Sequence, residues 1–238
     1  MHGARKFVTG KVLLNNQSFR DLFRVQSLAP DLKLNLKSLT LLFTDLKGST
    51  ELYDRTGDVS ADGIVQEHFR VLAEAVRRHD GAIVKTMGDA IMASFSTSRD
   101  AVAMMNAMEA VNQKVKADGY ETGLKVGLHE GSALAVNAES RLDYFGQTVN
   151  IAARVQAVAS SGEIWVTGAV LAAEGVAEAL RELRLGTERK VVSLKGVGAP
   201  TPVFRLAAQP SQAVSVLRAC RCGRSTTPET AARAAPPP

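Results

Sequence analysis

Apolar residues along the chain recur with two spacings, one typical of strands and one typical of amphipathic helices. The run SLTLLFT, residues 38–44, predicts a buried strand. AIVKT and AIMASF flank Met87-Gly88-Asp89, and two short strands around a Gly-Asp turn are typical of a hairpin. From Ile64 to His79 the apolar residues fall on one side of a helix that ends at Gly81. The first half therefore predicts strand, helix and hairpin, in that order.

The second half continues the alternation. We predict a helix over 98–116, a strand at LKVGLHEG with its return at SALAVN, and a helix over 148–159. A strand at EIWVT and a closing hairpin at VVSLKGVGAPTPVFRL follow. Helices and strands in this order are typical of an α+β sandwich, in which helices pack on a mostly antiparallel sheet.

Three segments differ in composition, and we interpret residues 39–206 as one folded domain with a single core. Residues 207–238 end in TTPETAARAAPPP and have little to bury, so this tail is predicted to be disordered. Residues 1–38 contain SFRDLFRVQSLA, whose apolar spacing predicts a short amphipathic helix. This first segment either docks on the domain or links it to an upstream regulatory domain.

Several classes of protein are disfavoured by composition. No apolar run approaches the ~18 residues of a membrane span, and the first residues lack the apolar centre of a signal peptide. We therefore expect no membrane span and a cytoplasmic protein. Cys220 and Cys222 have neither C-x-x-C spacing nor histidine partners, so no structural role is predicted for them.

The net charge of +5 is located outside the predicted domain. Residues 1–38 carry a net +5 and residues 207–238 a net +3, whereas residues 39–206 carry −3. Because the domain is mildly acidic and has no basic patch interleaved with aromatic residues, we expect no nucleic-acid partner.

Two acids end predicted strand segments. Asp45 follows the first strand, and Asp89 lies in the turn of the hairpin. If that strand lies beside the hairpin, both carboxylates reach one rim of the sheet, where a hard divalent cation would relieve their repulsion. The small residues Gly48, Ser49 and Thr50 then suit phosphate oxygens, because a turn that opens a helix presents free N–H groups. Alternatively, Asp45 caps a helix and Asp89 only makes a turn.

A second group of polar residues comes from DYFGQTVNIAARV, residues 143–155. Asn150 and Arg154 are four residues apart on a predicted helix, so both project from one face and favour an anionic partner. Asp143 and Lys85 add an acceptor and a donor, and Lys195 adds a cation in the glycine-bounded segment SLKGVG. Each of these residues also has a solvated-surface interpretation.

Taken together, these motifs resemble the class III nucleotidyl cyclases, the family of adenylate and guanylate cyclase catalytic domains. FTDLKGST is similar to the first metal motif of the family and VKTMGDAIMASF to the second. DYFGQTVNIAARV resembles the motif for base, ribose and transition state, and SLKGVGAPTPVFRL resembles the closing segment with the phosphate lysine. Four motifs in the order of the family, across residues 39–206, are a specific signal.

The resemblance implies a ferredoxin-like α+β core and a role for each candidate residue. Asp45, Asp89 and the carbonyl of Leu46 would bind two Mg²⁺ or Mn²⁺ ions per active site. Adenine would be recognised by Lys85 and Asp143, the ribose by Asn150, the α-phosphate in the transition state by Arg154 and the terminal phosphates by Lys195. The implied reaction is two-metal-assisted attack of the ribose 3′-hydroxyl of ATP on its α-phosphate.

The resemblance also implies a homodimer with active sites at the subunit interface. We weigh two alternatives against adenylate cyclase: a guanylate cyclase, and a non-catalytic nucleotide-binding regulatory module. A phosphatase of the haloacid dehalogenase type also begins with a strand and an aspartate, but Lys47 occupies the position where it needs a second acid. His129 is interpreted as a strand-end packing residue rather than a general base.

Overall fold

The computed structural model describes residues 8–23, 28–29, 31–48, 57–105 and 123–208. All the described residues belong to one compact unit, which ends at Ala208. The predicted disordered tail, with Cys220 and Cys222, lies outside them, as does the predicted helix beyond Met105 as far as Lys116.

The described residues form eight strands and seven helices in mixed order. The strands are β1 Leu34–Lys47, β2 Gly81–Met87, β3 Ala90–Phe95, β4 Gly123–Ala138, β5 Arg141–Phe145, β6 Ile164–Thr167, β7 Leu185–Val192 and β8 Thr201–Ala208. The helices are α1 Gly10–Leu14, α2 Gln17–Leu22, α3 Asp58–Arg78, α4 Ser98–Ala103, α5 Gln147–Val158, α6 Gly168–Ala172 and α7 Val176–Glu182.

One sheet contains all eight strands. Seven follow the order β2-β3-β1-β4-β6-β8-β7, and β5 pairs with β4. Within the described residues every pairing is antiparallel except that between β4 and β6. The order β2-β3-β1-β4, with α3 before the hairpin and α4 after it, is the ferredoxin-like arrangement. The predicted α+β class and mostly antiparallel sheet are confirmed.

The course of β4 differs from the prediction. We predicted that LKVGLHEG ends at its last glycine and that SALAVN returns beside it, but both belong to one 16-residue strand. The return is β5, which pairs Val136 with Asp143. Gly131, which suggested a turn, lies inside the strand because helix α5 packs directly over it.

Alternate residues of β1 enter different hydrophobic clusters on the two faces of the sheet. Leu42 packs in a cluster with residues of α3, α4, α6 and α7. Leu41 and Phe43 pack in a second cluster, which includes Ala152 of α5 and Leu142 and Tyr144 of β5. Because neighbouring strand residues point to opposite faces, one apolar strand can serve both layers. The sheet is therefore covered on both sides around β1.

No helix in the described part of the chain is long and apolar enough to cross a membrane.

Candidate functional site

The two predicted metal acids lie at one rim of the sheet. Thr44 of β1 pairs with Ile91 of β3, so Asp45 lies opposite the start of β3, next to the turn that contains Asp89. Gly88 turns the chain there with a φ of +63°. The expectation that the first strand lies beside the hairpin is confirmed, and both carboxylates belong to the same end of neighbouring strands.

Asp45 is paired with a cation that the sequence analysis missed. Lys125 lies directly opposite it on β4, and the Lys125 Nζ to Asp45 Oδ2 distance is 2.8 Å. The two side chains are 22% and 32% exposed, so the pair is only partly solvated. Alternation along LKVGLHEG places Lys125 on the face of Gly127 and His129, but only strand pairing identifies Asp45 as its partner.

A buried histidine lies near the second acid. His68 of α3 is 4% exposed, and neither ring nitrogen has a hydrogen-bond partner among the described residues. Burial lowers the pKa of His68 to about 4, while the negative charge of Asp89 favours the protonated form. His68 is therefore neutral at neutral pH. It was missed because helical periodicity assigns it only to the buried side of α3.

The remaining residues of the first motif are described in part. Leu46 is 3% exposed and pairs with Leu124, and Gly48 turns the chain with a φ of +86°. Ser49 and Thr50 lie outside the described residues.

Lys85 and Asp143 are brought into contact from distant parts of the chain. Lys85 Nζ lies 2.6 Å from Asp143 Oδ2, and Asp143 Oδ1 accepts a hydrogen bond of 2.8 Å from the Tyr144 amide. A cavity of about 670 Å³ adjoins the pair. Phe145, 52% exposed, lines this cavity and offers an aromatic surface that the sequence analysis did not identify. The pair thus presents one donor and one acceptor beside an open cavity.

Two glycines of β4 determine how closely helix α5 approaches the sheet. A Cβ on Gly127 would overlap the backbone nitrogen of Gln156, and one on Gly131 would lie 2.5 Å from Thr148 Oγ1. The Thr148 hydroxyl also donates a 2.6 Å hydrogen bond to the Ser132 carbonyl. The backbone of α5 therefore rests on β4 along the face that the two glycines leave open.

This helix presents the predicted ribose and phosphate residues. Asn150 is exposed. A Cβ on Gly196, where φ is +73°, would lie 3.3 Å from both Nη atoms of Arg154. Arg154 therefore lies against the turn that contains Lys195, which is also exposed. Leu194, 5% exposed, packs in a cluster with Val155 and so fixes this turn to α5.

Arg154, Lys195 and Asn150 make no side-chain hydrogen bond or ion pair with any other described residue. A guanidinium without an acidic partner, packed against a turn that carries a lysine, favours an anionic ligand. The contact between Arg154 and the turn that contains Lys195 is a finding of the tertiary structure, and the roles of both residues stay predictions.

His129 contacts structural neighbours. Its Nδ1 lies 2.8 Å from the Thr167 hydroxyl, and burial lowers its pKa to about 4. These contacts fit the packing role.

The donor chemistry at the acid rim fits a divalent ion. Asp45 and Asp89 offer carboxylate oxygens, which hard cations such as Mg²⁺ prefer, and the ammonium of Lys125 already lies against one of them. Within residues 8–23, 28–29, 31–48, 57–105 and 123–208, no group of three or more His, Cys, Asp or Glu side chains could hold a metal ion.

Comparison with family models identifies a cyclase catalytic domain. A family model described as the adenylate and guanylate cyclase catalytic domain matches residues 33–204. The chain is 29% identical over 154 residues to "Adenylate cyclase 1" of Rhizobium meliloti (strain 1021), a match that covers 57% of this chain and 23% of that protein. It is 27% identical over 221 residues to "Receptor-type adenylate cyclase ESAG 4" of Trypanosoma brucei brucei, with coverage of 76% and 18%. The chain thus spans less than a quarter of either relative.

The fold matches solved structures. The adenylyl cyclase CyaB from P. aeruginosa aligns with a TM-score of 0.62 at 21% identity, covering 76% of this chain and 98% of that chain. At that identity the likeness concerns the fold alone.

Proposed function

The chain belongs to the family of adenylate and guanylate cyclase catalytic domains, and on that basis we propose that it converts ATP to 3′,5′-cyclic AMP and pyrophosphate. The observation that carries the choice of ATP is the contact of 2.6 Å between Lys85 and Asp143 beside a cavity. The names of relatives that are called adenylate cyclases support the same choice.

The hydrogen-bonding groups of Lys85 and Asp143 match those of adenine. Adenine has an acceptor at N1 and a donor at its amino group, which complement the ammonium of Lys85 and the carboxylate of Asp143. Guanine presents a carbonyl and an N–H in the reverse order. Because a wrong base leaves polar groups unpaired, this pair favours ATP over GTP.

The cationic side chains of Arg154 and Lys195 suit the triphosphate. We assign Arg154 to the α-phosphate, where negative charge grows in the transition state, and Lys195 to the terminal phosphates. Asn150, one turn before Arg154 on α5, would orient the ribose. The ring closure is intramolecular, so these residues act by positioning and charge stabilisation rather than as nucleophiles.

Asp45, Asp89 and the carbonyl of Leu46 would hold the divalent ions, for which we propose two Mg²⁺ or Mn²⁺ per site. When bound, these ions supply activation of the 3′-hydroxyl and neutralisation of the leaving pyrophosphate. Lys125, whose ammonium lies 2.8 Å from Asp45 Oδ2, would be available to phosphate oxygens at the same site.

We further propose a homodimer in which each site is shared between two chains. The carboxylates of Asp45 and Asp89 make no hydrogen bond or ion pair with Lys85, Asp143 or Arg154 in the described part of one chain. A two-fold arrangement of chains would place the acids of one chain against Lys85, Asp143 and Arg154 of the other, so that each site is built from both chains.

The proposed activity is tested by incubating the protein with ATP or GTP and Mn²⁺, and by measuring pyrophosphate and cyclic nucleotide. We expect cyclic AMP and pyrophosphate in equal amounts, with a clearly higher kcat/KM for ATP. Arg154→Ala should lose most of kcat, about 100-fold or more, because it removes charge aimed at the transition state.

Two other results would change the assignment. Equal kcat/KM for GTP would show that Lys85 and Asp143 do not select adenine, which favours the guanylate cyclase alternative. Nucleotide binding without any pyrophosphate would favour a non-catalytic regulatory module.

A further inference from the structure

Helix α2 covers part of the free edge of the sheet. Strand β2 pairs only with β3 among the described strands. On its outer side, the Ile83 amide donates a 2.9 Å hydrogen bond to Gln17 Oε1, and Arg20 Nη1 donates a 3.1 Å bond to the Ile83 carbonyl. Edge groups left open invite pairing with other chains. Here two side chains of one helix satisfy both main-chain groups of a single residue.

The residue held in this way lies at an irregularity of the strand. The register of β2 against β3 shifts between Ile83 and Lys85. A bulge leaves one residue unpaired and changes the direction of the side chains around it. Gln17 and Arg20 therefore fix the backbone two residues before Lys85, at the point that decides where its ammonium lies.

The burial of Arg20 indicates that this contact is specific. Arg20 is 8% exposed, and its Nε has no hydrogen-bond partner among the described residues. Burial lowers the pKa of Arg20, and the nearby Tyr144 and Asp21 partly oppose that shift. Burial of a guanidinium with few partners costs free energy, so the buried position of Arg20 indicates a structural role.

The same N-terminal segment is also connected to Asp143, the partner of Lys85. Asn15 is fully buried between α1 and α2, and its Oδ1 accepts a 3.2 Å hydrogen bond from the Tyr144 hydroxyl. Its Nδ2 donates to the Lys11 carbonyl at 2.7 Å. Tyr144 is 2% exposed and directly follows Asp143, to which its amide is bonded. The position of Asp143 is thus tied to Asn15 through one side chain.

We propose that helices α1 and α2, residues 10–22, position the Lys85–Asp143 pair and thereby help to determine which purine base the site accepts. Gln17, Asn15 and Arg20 act as positioning residues, because they touch Ile83 and Tyr144 rather than the nucleotide. The inference rests on the proposed function, since it concerns the selectivity of that same site.

The test compares Gln17→Met and Tyr144→Phe with the unaltered full chain. Gln17→Met removes the acceptor for the Ile83 amide and keeps the length of the side chain, and Tyr144→Phe removes one hydroxyl. We expect the ratio of kcat/KM for ATP to that for GTP to fall about three- to tenfold in each, mainly through a higher KM for ATP. Gln17 Nε2 also donates a 2.8 Å hydrogen bond to Asp21 Oδ1. Asp21→Ala removes that contact and keeps the acceptor for Ile83, so it should leave the ratio close to that of the unaltered chain.

Ser18→Ala is the matched control, because Ser18 is exposed on the same helix and should leave the ratio unchanged. Thermal unfolding is measured for every variant. If Gln17→Met does not fold, Tyr144→Phe decides the question, since it removes only a hydroxyl.

If Gln17→Met and Tyr144→Phe both fold and keep the ATP-to-GTP ratio of the unaltered chain, the inference is overturned. Equal losses of kcat/KM for ATP and GTP would also overturn it, because they indicate a general structural role. Both results leave an ATP-selective cyclase in place. If the unaltered chain formed neither cyclic AMP nor cyclic GMP, the proposed function itself would be overturned.

Discussion

At the scale of single residues, each acid of the rim has a basic side chain of its own chain nearby, one charged and one neutral. Lys125 pairs with Asp45, and the neutral His68 lies near Asp89. From the sequence alone, the two carboxylates were expected to repel each other unless a cation lies between them. The ion pair with Lys125 changes this expectation for Asp45.

Asp45→Asn should abolish cyclic AMP formation, because an amide is a much weaker ligand for a hard cation. It should also destabilise the fold slightly, by up to about 1 kcal/mol, since a partly exposed ion pair is lost. Turnover is measured over a range of Mg²⁺ and Mn²⁺ concentrations, together with thermal unfolding.

Glu188→Gln is the matched control for this change. Glu188 forms a cross-strand pair with Arg205 at 2.7 Å between β7 and β8, so it loses a similar contact without touching the proposed site. Full activity of Asp45→Asn at limiting Mg²⁺ would remove Asp45 from the set of metal ligands.

At the scale of elements, the position of helix α5 depends on two glycines of β4 that allow its backbone to pack closely on the strand. Gly127 and Gly131 are four residues apart and so lie on one face of the strand, under the backbone and the first turn of α5. Asn150 and Arg154 depend on this contact for their height above the sheet.

Gly127→Ala should therefore shift α5 and lower kcat strongly, while it costs about 1–3 kcal/mol of stability through overpacking. The measurements are kcat and KM for ATP and the free energy of unfolding. Gly63→Ala is the control, because a Cβ there meets nothing within 4 Å. As Gly63 lies inside α3, the alanine should stabilise by about 0.5–1 kcal/mol. Wild-type kcat and stability in Gly127→Ala would contradict the close contact.

At the scale of the whole molecule, the shared site predicts complementation. Asp45→Ala and Arg154→Ala homodimers should each be inactive at both sites. In a mixed dimer one site contains both lesions and the other contains none. Random pairing makes about half of the dimers mixed, so co-expression should restore about a quarter of wild-type activity.

Complementation is measured on co-purified mixed dimers that carry two different affinity tags. No recovery in such dimers would show that each site is built within one chain. The cyclase chemistry would then stand, and the intersubunit arrangement would be wrong.

Local pattern was enough to single out candidate residues and to predict the class of fold. Asp45, Asp89, Asn150 and Arg154 stand out because polar residues at strand ends, or four apart on a helix, need partners that a core cannot supply. Alternating periods predicted the α+β class, and the structure confirms it. These features depend on neighbours in the sequence, which is why they could be predicted.

The tertiary structure alone decided which distant residues meet. Lys125 pairs with Asp45 through strand register, Lys85 reaches Asp143 across 58 residues, and the side chain of Gln17 caps the edge of β2. Gly131 at the end of GLHEG predicted a turn, yet it lies inside β4, because helix α5 from later in the chain packs where its side chain would be. Periodicity specifies the face on which a side chain lies, whereas its partner depends on how the chain folds back upon itself.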